Sequence, residues 1–257
     1  MHRETLLALA PLGLFALLAL GEAIRERRSR RHSVSTDSRL LTNFALSTMV
    51  LLAGELFPLA RITSSVAGER FGLGLANVLA VPWIVILVAT LLLQSFVTYW
   101  VHRAMHAIPI FWRLHRVHHS DCAVDVSTSL RNHPLELLVT VPAAALVVVV
   151  LGSPPSVIVA MQMILMSAII WEHADLELPK PLNDALSLAL ITPNLHRVHH
   201  SIDRRQHDSN FGDFLTIWDR LFGTFTHARP IPQVGLERQR ARTDRLLQQI
   251  VSPFYTV

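Results

Sequence analysis

The stretch Val97-Thr98-Tyr99-Trp100-Val101-His102-Arg103-Ala104-Met105-His106 carries the end of an apolar run directly into two histidines four residues apart. Residues 75–100, the run that ends there, would span about 39 Å as a helix, one or two turns more than a hydrocarbon layer of about 30 Å requires. The reading is a membrane helix that lifts His102 and His106 just clear of the lipid. Towards the N-terminus lie two more apolar stretches, residues 5–23 and 40–60, the second with Glu55 as its one formal charge. The first is followed by Arg25, Arg27, Arg28, Arg30 and Arg31 and by no Ala-x-Ala cleavage pattern. This reads as an uncleaved anchor, its basic side in the cytoplasm and its N-terminus outside. The segment through Arg70 carries two arginines and reads as an outside loop. Towards the C-terminus, residues 135–151 and 155–170 are separated by the turn signal Gly152-Ser153-Pro154-Pro155. They read as a helical hairpin that enters and leaves on one face. Residues 182–191 are amphipathic and suited to a membrane surface, and the arginine- and glutamine-rich tail beyond Pro230 reads as helical to about Ile250.

Composition agrees. Of 257 residues, 51% are hydrophobic and 16% charged, and the mean hydropathy is +0.39, too apolar for an ordinary water-soluble domain and the opposite of a disordered chain. A lone cysteine, Cys122, excludes an intramolecular disulfide framework. With 23 basic against 19 acidic residues the formal charge is only +4, which gives no footprint for nucleic acid. The fold class expected is an all-α integral membrane protein: transmembrane helices over residues 1–96, a catalytic region over 97–230 with a membrane hairpin near 135–171, and a cytoplasmic tail over 231–257. A cytoplasmic helical cap would carry the histidines.

Those histidines number 14. Nine stand in four places: His102 and His106; His115, His118 and His119; His173; and His196, His199 and His200. Positions i, i+3 and i+4 share a helix face, so each box is expected to aim its imidazoles at one point. One His-x-x-x-His pair is weak evidence, because surface histidines often fall at that spacing. The pattern His-Arg-Val-His-His occurring twice is strong evidence. Imidazoles without cysteine suit iron or zinc and argue against calcium, magnesium or an iron–sulfur cluster. Nine exceed what one zinc takes, so two metals are the economical reading.

The boxes, their order, and the closing segments Pro193-Asn-Leu-His-Arg-Val-His-His200, Asn210-Phe-Gly and Trp218-Asp-Arg-Leu-Phe-Gly-Thr224 resemble the fatty acid hydroxylase/sterol desaturase superfamily of integral-membrane di-iron oxygenases. The likeness covers about residues 97–225, and the closing segment is particularly similar to alkylglycerol monooxygenase-like members. The resemblance implies two non-haem irons held by the nine histidines, molecular oxygen as oxidant, and insertion of a hydroxyl group or a double bond into a lipid such as a fatty acyl, sterol or alkylglycerol chain. Many members carry a further histidine four residues after the one matching His173; this chain has Glu177. His133 and His207 are the candidates for a tenth ligand or for a supporting donor. His2, His32 and His227 fall outside the clusters and read as surface residues.

A ligating imidazole usually donates its other N–H to a carboxylate or carbonyl. Asp121, Asp125, Glu136, Glu172, Asp175 and Asp203 are near enough in sequence to serve, and Asp219 reads as a structural cap or a partner of Arg220. Tyr99, Trp100, Trp112 and Trp171 adjoin three boxes and suggest a common depth at the membrane boundary. No Gly-x-Gly-x-x-Gly fingerprint is present, so electrons must come from a donor protein or a small reducing cofactor. Two other classes compete. A membrane zinc hydrolase wants His-Glu-x-x-His, which is absent; a metal transporter or metal-stabilised scaffold wants ionisable residues along crossing helices, or redox-inert metal.

Overall fold

The computed structural model describes residues 2–29, 36–54, 61–227, 232–236 and 245–255. Among these the fold is helical, with only two isolated bridges, Leu190 to Leu215 and Ser201 to Val234, in place of a sheet. Helices α1 (His2–Ser29) and α2 (Thr36–Gly54) cover the first two apolar stretches, and Glu55 to Ala60 lie outside the described residues. Helix α3 (Arg61–Phe71) replaces the expected outside loop. It packs on the later hairpin, with Ser65 Oγ donating to the Ser153 carbonyl at 2.5 Å.

Residues 75–100 are not one helix. A single turn, α4 (Leu75–Val78), ends in extended backbone at Leu79, and the long helix α5 (Trp83–Ala107) begins only after Pro82. Proline has no N–H to give and disfavours helix in the residue before it. The restart moves the helix towards its C-terminus, so His102 and His106 ride on its last turns. At its other end Ile108-Pro109 stops α5 and starts α6 (Pro109–His119), with proline in the first turn, where its missing N–H costs nothing.

The hairpin forms as read. Helix α7 (Leu137–Leu151) ends on Gly152, at φ 64° in the left-handed region, and α8 (Pro155–His173) runs back. A side chain is excluded at Gly152 for a second reason, since its Cβ would lie 2.9 Å from the Leu73 carbonyl, and Gly74 opposite is as confined, its Cβ falling 2.2 Å from the Gly152 nitrogen. Ile86 and Leu87 of α5 pack with Val147, Val148 and Leu151 of α7 and Val157, Ile158 and Met161 of α8. Outward faces carry exposed Ile84, Val88, Leu138, Leu146 and Met166, an apolar surface suited to lipid. Among the described residues three segments are long and apolar enough to cross a membrane: Trp83–Ala107, Pro134–Leu151 and Pro155–His173.

Short helices close over one end of this bundle: α9 (Lys180–Leu186), α10 (Pro193–His199), α11 (Arg204–His207), α12 (Ile217–Leu221) and α13 (Leu246–Val251). The amphipathic stretch is helical only to Leu186; beyond it the chain turns to pair Leu190 with Leu215. The tail is helical only over α13 and one 3-10 turn among its described residues, while Val234 bridges to Ser201. The rest of the tail, 237–244 included, lies outside the described residues.

Candidate metal centre

Each histidine box is delivered by a local rule. The Ile108-Pro109 joint folds α6 back on α5, bringing His115 and His119 against His102 and His106. Thr192 caps α10, its hydroxyl accepting from Leu195 N at 3.3 Å with Pro193 following, so that a seven-residue helix presents His196 and His199. His173 is the last residue of α8. Three of the nine histidines therefore ride on ends of membrane-length helices and six on the short helices α6 and α10, His200 at the end of the latter.

They fall into two groups, in each of which one nitrogen per ring lies within 4.8 Å of the others. The first holds His102, His106, His115, His119 and His199; the second holds His118, His173, His196 and His200. In the first, Nε2 atoms approach at 3.0 Å between His102 and His115, 3.2 Å between His115 and His119, and 3.2 Å between His106 and His119. In the second the approaches are 3.2 Å for His118–His173, 2.9 Å for His173–His196 and 3.1 Å for His196–His200. The groups share a wall where the His119 and His200 rings stack at 4.5 Å. The expectation that each box serves one point is thus corrected: both His-x-x-His-His boxes are split. On a helix, His118 and His119 point about 100° apart, and each helix is wedged between the two groups.

Six of the nine rings are held from behind by their other nitrogen, while Nδ1 of His119, His196 and His200 has no hydrogen-bond partner among the described residues. His102 Nδ1 faces the Phe211 carbonyl at 2.9 Å, His118 that of Arg131 at 3.2 Å, His173 that of Ile169 at 2.7 Å and His199 that of Ser209 at 2.8 Å. A carbonyl only accepts, so these four rings carry their proton on Nδ1 and turn a bare Nε2 lone pair inward. His118 and His173 then point lone pair at lone pair across 3.2 Å, which no hydrogen bond satisfies. Burial first, then neighbouring imidazoles, hold His118, His119, His196, His199 and His200 well below the usual histidine range, so protonation does not relieve the clash near neutrality. A cation does. With metal–nitrogen bonds of about 2.1 Å, adjacent ligands of an octahedral site lie about 3.0 Å apart. The donor set therefore fits metal.

Of the acidic residues read as supports, Glu136 reaches His115 Nδ1 at 3.3 Å. Glu172 stands 3.8 Å from Nδ1 of both His173 and His196, its Oε2 without a partner among the described residues. Asp121 and Asp125 instead bind Arg39, and Asp175 pairs with Arg197 and Arg25. Asp203 caps α11. Asp208, which the sequence reading missed although it adjoins His207, faces His106 Nδ1 at 3.2 Å. Asp219 does not pair with Arg220. It accepts from Phe211 N at 2.7 Å and Gly212 N at 2.9 Å, fixing the turn whose Phe211 carbonyl orients His102. A Cβ on Gly212 would meet the Leu215 carbonyl at 2.4 Å, so only glycine fits there.

His133 stands apart from both groups, with Nδ1 accepting from Leu135 N and Nε2 donating to the Ile250 carbonyl. His207 lies inside, its ring 4.7 Å from those of His106 and His119, and burial pushes its pKa down to about 4. It groups with His106 and Asp208. Glu177 is exposed, because α8 stops at His173 and position 177 has left the helix. His227 is exposed as read, whereas the side chain of His2 and all of His32 lie outside the described residues. The aromatic belt is only partly that. Tyr99 is wholly buried and bonded to Thr224 at 2.9 Å, and Trp112 packs on the His106, His119 and His207 rings.

The fatty acid hydroxylase family matches residues 87–224, just over half of the chain, and takes in all nine clustered histidines. Alkylglycerol monooxygenase of Homo sapiens is 34% identical over 137 residues, 51% of this chain and 28% of that protein. The Danio rerio alkylglycerol monooxygenase is 38% identical over 131 residues, 49% of this chain and 27% of the relative. Ornithine lipid hydroxylase OlsE of Rhizobium tropici is 30% identical over 167 residues, 64% of this chain and 49% of the relative. The chain thus spans between 27% and 49% of the length of these relatives. No solved structure matches. By the extent of the family match and the histidine boxes inside it, the chain belongs to the fatty acid hydroxylase family.

Proposed function

We propose that this protein is a membrane-embedded di-iron oxygenase that hydroxylates or desaturates a lipid. The observation that carries the reading is the pair of inward lone pairs on His118 and His173, 3.2 Å apart with both Nδ1 atoms committed to carbonyls. His102, His106, His115, His119 and His199 would hold one iron and His118, His173, His196 and His200 the other. When bound, such a pair supplies the reduction of dioxygen to an oxidant strong enough for an unactivated C–H bond, using two external electrons.

The chain's own residues do the rest. Glu136 and Asp208 behind His115 and His106, and the carbonyls of Arg131 and Ile169 behind His118 and His173, hold the direction of those four rings. Burial of His119, His199 and His200 keeps water from the reacting carbon. The apolar faces of α5, α7 and α8 admit an apolar substrate sideways from the bilayer. The lipid names of the relatives, alkylglycerol and ornithine lipid, support a lipid substrate for this chain. The arginines after α1 favour a cytoplasmic centre, where a donor protein or a small reducing cofactor would meet it. The tail over 231–257 is read as a cytoplasmic segment, tied to the centre through Arg116 and His133, and 97–230 as the catalytic region.

The test is iron content and Mössbauer spectroscopy on purified protein loaded with iron without oxygen, followed by oxygen exposure and lipid mass spectrometry. Two coupled irons per chain and an oxidised lipid are expected. Firm binding of redox-inert zinc with no iron retained would overturn the proposal.

A further inference from the structure

Beside the histidine groups, on the bundle side, lies a cavity of about 330 Å³ between α3, α5, α7 and α8. Part of its wall is aliphatic, with Ala143, Leu165, Met166 and Ile169, as a lipid chain would want. The remainder includes Arg61, Gln94, Thr98, Thr140, Gln162 and Asp213, a polar seam in a place where membrane proteins rarely spend one. Thr98 and Gln94 sit one and two turns before His102 on α5, about 6 and 12 Å along the axis. Ile169 is the residue whose carbonyl orients His173.

The seam is under-satisfied. Gln94 is 3% exposed, and its Nε2 donates to Thr98 Oγ1 at 3.0 Å while its Oε1 has no partner. Asp213 Oδ1 and Arg61 Nε are likewise buried and unpartnered among the described residues. An unmatched amide oxygen within an apolar helix bundle is costly, so these atoms ask for a partner. Two of them accept and one donates. Arg61 and Asp213 carry opposite charges and attract one another across the seam, so the wall as a whole is close to neutral. A carboxylate or phosphate head would bring a buried charge with no counter-charge left for it. A hydroxyl or a primary or secondary amide brings an O–H or N–H donor and an oxygen acceptor on one small uncharged group.

We propose that this cavity binds the uncharged, hydrogen-bonding group of an otherwise apolar lipid, with Gln94 and the Arg61–Asp213 pair setting the preference for neutral over anionic heads. The proposal deepens the oxygenase reading and rests on it for its consequence, that the head group held here decides which carbon meets the histidine groups. Binding itself needs no metal, so it is testable separately.

The experiment is lipid titration of the metal-free full chain in nanodiscs by calorimetry, with hexadecanol, hexadecanamide, palmitate and hexadecane as probes. Burial lifts the Asp213 carboxyl to about 7, so the titrations are run at about pH 8, where it is ionised. Hexadecanol or hexadecanamide is expected to bind about tenfold more tightly than hexadecane and palmitate, the worth of roughly one buried hydrogen bond. Gln94→Met should erase that margin without changing hexadecane binding. Asp213→Asn leaves Arg61 as the unbalanced charge and should tighten palmitate, a gain that misfolding does not produce. Palmitate binding best to the unsubstituted protein, or neutral probes binding no better than hexadecane, would overturn the proposal without reference to any variant. Loss of iron chemistry with the neutral preference intact would instead sink the oxygenase reading and leave the cavity assignment standing.

Discussion

The two His-Arg-Val-His-His boxes have the same five residues and opposite allegiances. In α6, His115 and His119 face the first group and His118 the second; in α10, His196 and His200 face the second and His199 the first. Each helix thus lends one imidazole across the shared wall, so neither group is complete without both boxes. Their arginines differ as well. Arg116 binds the carbonyls of Ser252 and Tyr255, tying its box to the C-terminal segment, whereas Arg197 binds Asp175 and the Ala174 and Leu176 carbonyls just beyond α8. Behind the rings, the first group has two carboxylates in hydrogen-bond range, Glu136 and Asp208, and the second has Glu172 at 3.8 Å. Identical local sequence has been given reciprocal roles by what packs behind it.

The comparison breaks most sharply at the exchanged histidines. His118→Ala should deplete the metal group that α10 dominates, and His199→Ala the group that α6 dominates, each with one iron lost per chain and lipid oxidation down more than about a hundredfold. Iron analysis with Mössbauer spectra decides it, since loss of the same iron in both variants would contradict the exchange. Next in size, Glu136→Gln on the first group should lower iron affinity or turnover by about 10- to 100-fold. Asp208→Asn, on a half-exposed carboxylate, should stand at the lower end of that range, as metal titration would show.

Acidification tests the groups without metal. The buried histidines stay neutral when folded, but in the unfolded chain they titrate near 6.5, so below that pH the unfolded state binds more protons. Stability of the metal-free protein should therefore hold above about pH 6.5 and fall with each pH unit below it, by up to about 1.4 kcal/mol per histidine. Thermal midpoints from neutral to acid pH read this directly; a flat profile would mean the rings are already charged when folded. The smallest effect expected is at the arginines. Arg116→Met and Arg197→Met should each cost about 1–3 kcal/mol with the iron ratio between groups unchanged, measured by denaturant titration.

Much of the fold was legible because its signals are local. Apolar length announced the long helices and Gly152 through Pro155 announced the hairpin, whereas the fold-back at Pro109 that sets α6 on α5 came only with the structure. Where the reading failed, the information was not local. The run 75–100 looked continuous because Pro82 is outweighed in any hydropathy average. The segment from Arg61 looked like a loop because its partners, α7 and α8, lie far along the chain. The site was legible as a set of histidines and illegible as a partition. The ring-orienting groups are largely main-chain carbonyls, of Phe211, Arg131, Ile169 and Ser209, and every residue type has a carbonyl.

The sequence by itself determined the long apolar helices, the turn between α7 and α8 and which imidazoles are available, because helix length, glycine and proline position and i, i+3, i+4 spacing act within one element. Only the tertiary structure decided which imidazole serves which group, which carboxylates stand behind them and that Arg61 and Asp213 line one cavity. Those outcomes depend on which element is wedged between which others. A helix whose adjacent histidines point about 100° apart can serve one site or two, and packing alone makes that choice.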